Sequence, residues 1–489
     1  MNASRSIVLV ARPWARCWMA VGLLPVFAAS ARAQPVPGAT LWLRADSLTG
    51  VSSGAGIATW TDSSGAGNAA TQTTAGSRPT YQTGQLNGKP VVRFNGSTQF
   101  MNLPDPFAAG FSGSNTPISV YVVAKTTNTT GYQNVLFLGG NQTASAGNND
   151  FITAQLTGNA NPSVATNQFR FEVRDYNFGP PNSFTTKETT IGGTGTPVGT
   201  NFFLGTATRT SVGNVWVNGT LVSPVNADLN LPSLDLTQGS IGARKAGTIP
   251  TVDSYLTGDI AEVVVFPSVL NRAQQTVQEN YLGAKYGISL AGSVEEYTAL
   301  NVGYREDVIG IGKAPGGSTA TSSILGGLAF AGTLAGAADD SWLFAGNTGL
   351  PNSLVSTSLP AGVSERWSRV WNVAEIGAVD AATLSFAWDA GGVGDDFDPL
   401  ATYALLYSAT PDPTAFSMLV GQQTALDAGA KTVSFALGAQ DLASGFYTVA
   451  IVPEPGLWAL LAGGVVAWAA LGRRTLRRQP SWRHSIGGA

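Results

Sequence analysis

The side chains available for chemistry in this chain are few in kind. Its 489 residues contain one Cys, Cys17, and one His, His484, each within a terminal segment. Between them no Ser-His-Asp triad, Cys-His pair, His base or Cys/His zinc site can be built. Carboxylates, Tyr, Lys, Arg and hydroxyls remain. A two-carboxylate glycan hydrolase needs its pair roughly 5–10 Å apart. The chain has ten Glu, and neither Glu-x-Asp-x-x-Glu nor that pattern with one further spacer occurs. Glu295 and Glu296 are adjacent and would face opposite ways in a strand. Glu172 and Asp175 flank Arg174, which predicts a structural ion pair. These absences argue against an enzyme; a carboxylate pair assembled in three dimensions stays open as the rival reading.

Calcium is the metal the remaining residues could hold, because it takes six to eight oxygens from loops. Asp395, Asp396 and Asp398, after the turn Gly391-Gly392-Val393-Gly394, offer three carboxylates in one loop. Asp62 with Ser63, Ser64 and Asn68, and Asp253 with Asp259, are thinner clusters. Among aromatics, Trp42, Trp60, Trp216, Trp342, Trp367, Trp371 and Trp388 fall in strand-like runs and are expected in cores. Tyr132, Tyr176 and Phe178 lie near Gly, Asn and Pro in expected loops, where a ring could stack on a sugar or pack back on the protein.

The two ends carry addresses. Arg5, Arg12 and Arg16 precede an apolar run, Cys17 to Ala29, and Ala31-Arg32-Ala33 is a small-x-small cleavage site. This order predicts a signal peptide over 1–33 and a mature chain from Gln34. At the other end Val452-Pro453-Glu454-Pro455-Gly456 precedes an apolar helix, 457–471, and then Arg473, Arg474, Arg477 and Arg478. The prolines keep the first part extended, and the arginines resist translocation. Segment 452–478 resembles the PEP-CTERM sorting signal of Gram-negative bacteria, although the tail Gln479–Ala489 runs on past the family's usual end. The resemblance implies an exosortase as processing partner and export to the cell surface or matrix. An ordinary single-pass membrane anchor has the same topology.

Charge fits that division. Nine of the 27 basic residues and one of the 30 acidic ones lie in the end segments. Residues 34–451 therefore carry 27 − 9 = 18 basic and 30 − 1 = 29 acidic groups, a net −11. Charged residues are only 12% of the chain. An acidic body with few cations is no nucleic-acid binder.

The elements that would position any site read as short strands between Gly/Asn/Ser turns. Ile118–Ala124, Asn134–Leu138 and Phe169–Val173 are examples, and Asn218-Gly219 is the dipeptide of a type I′ hairpin. One helix is expected over 271–285, with Asn271 as cap, Gln274 completing a capping box, Gly287 as stop, and an apolar face of Leu270, Val277, Tyr281 and Leu282.

In order, Leu41–Asp46, Trp60–Gly65, Leu86–Phe94, Asn218-Gly219, Ile241-Gly242, Gly258–Glu262 and Tyr281–Tyr286 resemble a LamG-like, concanavalin A-like jelly roll over 38–290. The same strand texture over 294–450, with Asp307–Lys313 and Glu365–Val373, looks like the domain of unknown function that follows such modules. A second, smaller β-sandwich is expected there, after a linker at Ala291-Gly292-Ser293. The fold class expected is all-β: two sandwiches with terminal hydrophobic helices. The resemblance implies an exported, non-enzymatic binding or adhesion protein associated with exopolysaccharide. A carboxylate-dependent glycan hydrolase or lyase is the rival, and an envelope protein without a ligand is the third reading.

Overall fold

A computed structural model of the chain describes residues 34–453, except 129–130, 141–149, 158–167, 180–182, 192–197, 223–233, 247–250, 292–295, 298–302 and 420–422. The architecture is all-β. Residues 41–266 form two eight-stranded sheets, and residues 306–452 form a nine-stranded and a five-stranded sheet. The strands pair antiparallel, and among the described residues none from the first pair of sheets pairs with one from the second.

The first sheet is covered on both faces. In Ile118–Thr126, Val120, Val122 and Ala124 enter the core between the two sheets. Tyr121 and Val123 enter a different core on the outer side. The neighbouring Thr257–Phe266 does the same: Ile260, Val263 and Val265 point inward, Val264 and Phe266 outward. A strand buried on both faces reads as a continuous apolar run, which is the look of Ile260–Phe266. A register shift between Ile260 and Glu262 sets Glu262 opposite Val123.

The outer side of this sheet carries the helix Arg272–Tyr286. Its cap is the expected one. Asn271 Oδ1 accepts from Gln274 N at 3.0 Å, Gln274 Oε1 accepts from Asn271 N at 3.0 Å, and Gly287 closes the helix at φ 64°. The single apolar face is a correction. Thirteen of its fifteen residues are buried, including Gln278, Glu279, Asn280 and Lys285. The reason is position: the other side packs against the second pair of sheets, and one hydrophobic core runs from Trp42 and Tyr281 to Ile311 and Phe344. Asn271 Nδ2 donates to Thr319 O at 3.0 Å, and Asn280 Oδ1 accepts from Tyr297 N at 3.0 Å.

The hairpin at Asn218-Gly219 has φ of 48° and 77°, the two positive values a type I′ turn demands. Trp42, Trp60, Trp342, Trp367, Trp371 and Trp388 are buried core residues, while Trp216 is only half-buried.

Candidate binding groove

Two clusters of polar residues stand out, one sealed and one open. The sealed cluster lies under the helix. Glu262, fully buried, accepts from Trp42 Nε1 at 2.5 Å, Tyr281 Oη at 3.0 Å, Tyr286 Oη at 2.7 Å and Lys285 Nζ at 2.8 Å. Lys285 Nζ also reaches Asp46 Oδ2 at 3.0 Å. Burial opposes the Lys285 ammonium, but Glu262, Tyr281, Tyr286 and Asp46 outweigh it and hold its pKa well above the usual lysine value. Burial would likewise raise Asp46, yet Lys285 and Arg44 pull its pKa below the ordinary value. Both partners are therefore charged at neutral pH. With Glu262 and Lys285 buried among rings and only Asp46 partly open at the edge, the cluster holds the helix to the sheet.

The open cluster lies on the outer face of the second sheet. Here alternation is clean. In Gln168–Gly179, Phe169, Phe171 and Val173 enter the core, so Arg170, Glu172 and Arg174 face outward. Register sets Gln155, Thr153 and Phe151 of the next strand beside them, and Asn134 and Phe137 beyond. With Tyr132, and with Arg244 and Ser254 on the hairpin that walls one side, these residues line an open groove of about 200 Å³.

The floor is ordered. The Gln155 amide donates to Glu172 Oε2, and the Thr153 hydroxyl donates to Asn134 Oδ1. Phe137 and Phe151 form a buried ring pair with centroids 5.8 Å apart. The Arg174 guanidinium lies 4.3 Å from the Phe151 centroid. At the far end the Arg170 guanidinium lies 6.0 Å from the ring of Tyr132, which is 52% exposed. Arg244 Nε stands 3.6 Å from Asp253 Oδ1. The groove thus offers amides, a hydroxyl, one carboxylate, three guanidinium groups and an exposed ring.

No protein-family model matches the chain, and no curated protein matches it. Solved structures that resemble it include a Ruminococcus gnavus IT-sialidase CBM40 bound to alpha2,3 sialyllactose, at TM-score 0.24 and 15% identity, covering 33% of this chain and 80% of that one. A Trypanosoma rangeli sialidase in complex with sialic acid superposes at TM-score 0.30 and 14% identity, over 52% of this chain and 36% of that one. The Botulinum neurotoxin serotype G binding domain does so at TM-score 0.28 and 12% identity, over 85% and 99%. At such TM-scores the likeness carries no argument about ligand or activity.

Of the residues singled out in the sequence, Tyr132, Glu172 and Arg174 line the groove, and the carboxylate clusters fall elsewhere. Asp395 and Asp396 are exposed in the 3-10 turn Gly394–Asp396, and Asp398 Oδ1 accepts from Leu400 N at 2.9 Å. The Lys431 ammonium donates to Gly394 O at 3.1 Å beside this turn. Among the described residues no three Asp, Glu, His or Cys side chains gather as a metal site. Asp62 spends its oxygens on Trp42 N, Ser64 N, Ser64 Oγ and Asn68 N, a loop-organising role. Asp259 is held by Arg93 at 2.7 Å and Lys125 at 3.2 Å.

Tyr132, Tyr176 and Phe178 are not in loops. Tyr132 opens the strand Tyr132–Gly139, and the ladder of Gln168–Gly179 runs through Tyr176 and Phe178 to Gly179 opposite Ser183. Gln34 is buried, its Nε2 donating to Ser64 O at 3.1 Å and its carbonyl accepting from Ile324 N at 3.3 Å. Val452 ends the last strand. Ala31, Ala33, Glu454, Pro455, Arg473, Arg474, Arg477, Arg478 and the apolar run 457–471 lie outside the described residues. Among the described residues no helix is long and apolar enough to cross a membrane.

Sequence reasoning named Tyr132, Glu172 and Arg174 but did not bring them together as a groove. The alternation in Phe169-Arg170-Phe171-Glu172-Val173 marks an outward polar face without saying what gathers there.

Proposed function

We propose that the chain is an exported, non-enzymatic glycan-binding protein whose ligand lies in the groove on the outer face of the second sheet. The groove itself carries the reading. Sugars are bound by planar amides, hydroxyls and charged groups set beside an aromatic ring, and Asn134, Thr153, Gln155, Glu172 and Tyr132 supply that set on strands rather than loops. The groove lining supports binding over hydrolysis: it contributes one carboxylate, Glu172, already accepting from Gln155, where a glycosidase uses two.

The test is a polysaccharide screen of the full-length protein, with Tyr132→Ala and Gln155→Ala as groove variants and Leu400→Ala, exposed on the second pair of sheets, as control. Retention on a glycan that both groove variants weaken and the control keeps, without reducing-end release, supports the reading. Retention indifferent to the groove variants overturns it. Repeating the screen with Ca²⁺ and with EDTA asks whether the Asp395–Asp398 loop takes a cation. A Ca²⁺ requirement that Asp395→Asn abolishes assigns the ion there.

Export completes the proposal. The final strand ends at Val452, so Pro453-Glu454-Pro455 follows the folded part directly. In this reading a Gram-negative host's exosortase removes the segment after that motif, and the protein remains at the cell surface or in an exopolysaccharide matrix. Mass spectrometry of the mature C-terminus checks it. Replacing Pro453-Glu454-Pro455 with three Ala should block processing yet leave membrane insertion, because hydrophobicity and the arginine bias are unchanged. A wild-type protein that keeps Arg473–Arg478 in such a host is a simple anchor instead.

A further inference from the structure

The first described residues lie across the seam between the two pairs of sheets. A segment ahead of a domain's first strand is usually loose unless something ties it down. Gln34, Pro35 and Val36 are nonetheless all buried, Gln34 at 6% exposure. Gln34 is bonded to both sides. Its Nε2 donates to Ser64 O at 3.1 Å on the first side, and its Oε1 accepts from Ala39 N at 3.0 Å. Its carbonyl accepts from Ile324 N at 3.3 Å on the second. Ile324 belongs to Ser322–Leu325, an outermost strand of the five-stranded sheet. We infer that Gln34–Val36 is a clasp, which covers this open edge and fixes the second pair of sheets against the first. An N-terminus trimmed past it leaves the two pairs free to rock against each other.

Pro35 carries the tie further. Its carbonyl accepts from Ser323 Oγ at 2.6 Å, and the same Oγ accepts from Gly310 N at 3.1 Å. Gly310 lies in Glu306–Lys313 of the nine-stranded sheet, so one hydroxyl joins the clasp to both sheets of the second pair. Val36, 2% exposed, enters the core that runs from Trp42 to Phe344. The residue types suit the task. Prolines at 35 and 37 bias Gln34 and Val36 to extended backbone, so less freedom is lost on docking. Pro35 has no N–H to leave unpaired. Gly38, at φ 102°, makes the bend toward the strand Leu41–Arg44. A bare sheet edge is a template for stray pairing, and an extended segment laid along it follows the logic of strand addition. The helix Arg272–Tyr286 carries the body of the seam; the clasp is a second attachment, and rocking about the helix is what it stops. The leader cut expected after Ala33 spares the clasp, whereas a cut after Pro37 removes it.

The experiment reads the distance between the two pairs of sheets in the exported full-length chain. The mature chain expected from Gln34 has no cysteine, because Cys17 lies in the leader. Thr83→Cys and Leu400→Cys, both at exposed positions and one on each side, carry spin labels. Mass spectrometry of the N-terminus fixes where each chain starts, and circular dichroism checks that each is folded. The otherwise wild-type chain should give one narrow distance distribution. Deletion of residues 34–37 should broaden it about twofold, since domains joined without a full interface move relative to one another. Gln34→Ala with Ser323→Ala, which cuts three of the clasp's side-chain bonds and keeps Val36, should broaden it less. A folded deletion variant with the narrow distribution overturns the inference. If the deletion does not fold, the double variant decides alone, and an unchanged width there overturns the inference too. A wild-type chain that starts beyond Val36 and still gives the narrow distribution also overturns it.

Discussion

The two sheets of the first sandwich have outer faces of opposite character. One lies under the helix Arg272–Tyr286, where Glu262 and Lys285 are closed in with Trp42, Tyr281 and Tyr286, and a half-buried Asp46 reaches Lys285 from the edge. The other carries Arg170, Glu172 and Arg174 in a groove open to solvent. Both hold charges, but only one leaves its face uncovered. The difference teaches that a charged cluster buried beneath a helix acts as a joint, whereas charges on an uncovered sheet face stay within reach of solvent.

That contrast fails if the sealed face tolerates damage. Glu262→Ala leaves the Lys285 ammonium buried without its closest partner. Breaking a buried pair in this way costs about 3–5 kcal/mol. Urea unfolding should show a loss of that order. The double variant Glu262→Leu with Lys285→Met removes both charges and should recover most of it, since well-packed apolar residues often replace a buried pair at little cost. A single variant within ~1 kcal/mol of wild type would mean that water reaches the cluster.

The two carboxyls near the helix should respond to pH with opposite sign. Asp46 has its pKa lowered on folding, so the stability it adds is present above its unfolded value of 3.8 and is lost as pH falls through the lower folded value. Glu279 is fully buried and its pKa is raised by burial, which Arg272, 3.5 Å away, and the Thr206 hydroxyl at 3.0 Å only partly offset. Its folded form keeps its proton longer, so stability falls as pH rises from 4.5 through the folded value. Glu279→Gln should therefore gain stability at pH 7 over wild type and match it near pH 4, whereas Asp46→Asn should lose stability at pH 7. Melting temperatures across pH 3–8 read both. Identical pH profiles for the two variants would contradict the opposed environments.

What the sequence disclosed follows the same divide. The stretches that carried the jelly-roll resemblance, Leu41–Asp46, Gly258–Glu262 and Tyr281–Tyr286, supply every member of the sealed cluster. In this chain those short stretches meet in one buried polar network, where each side chain has a partner to match. Gly258 shows how tight that can be: a Cβ there would stand 2.0 Å from Lys125 O. The caps of the helix were legible for a local reason, since Asn271, Gln274 and Gly287 act within one turn of each end. Its burial on both sides was not, because Gln278, Glu279 and Asn280 look solvated until the second pair of sheets is placed against them. The groove was least legible. Tyr132, Thr153, Arg170 and Arg244 meet only through the register of separate strands and a hairpin, and no local spacing records that register. The three aspartates at 395–398 illustrate the converse: they are neighbours in sequence, yet Asp395 and Asp396 are exposed on a 3-10 turn and Asp398 Oδ1 accepts from Leu400 N.

A milder cut at the joint is Asn271→Ala. The side chain caps the helix through Gln274 N and reaches Thr319 O on the second pair of sheets. Loss of a cap costs about 1 kcal/mol, up to ~2. If the tether matters as well, Asn271→Ser, which keeps the cap oxygen but loses the amide Nδ2 that meets Thr319 O, should fall between wild type and Ala. Equal unfolding midpoints for Ser and wild type would confine the effect to the cap.

The smallest change in stability is expected at the most telling position. Tyr132 is 52% exposed at the groove mouth, and its ring meets Arg170 only at 6.0 Å. An exposed substitution away from the core shifts stability by no more than about 0.5 kcal/mol. Tyr132→Ala should therefore unfold with wild-type midpoint and slope while its glycan retention falls, an aromatic contact being worth roughly 0.5–1.5 kcal/mol, up to about tenfold in affinity. Glu262→Ala should show the reverse order: a large loss of stability, and near-normal retention for the fraction still folded. Together the two variants separate joint from site. If Tyr132→Ala lowered stability and binding in step, the ring would belong to the packing of the second sheet, and the open face would be no more a site than the sealed one.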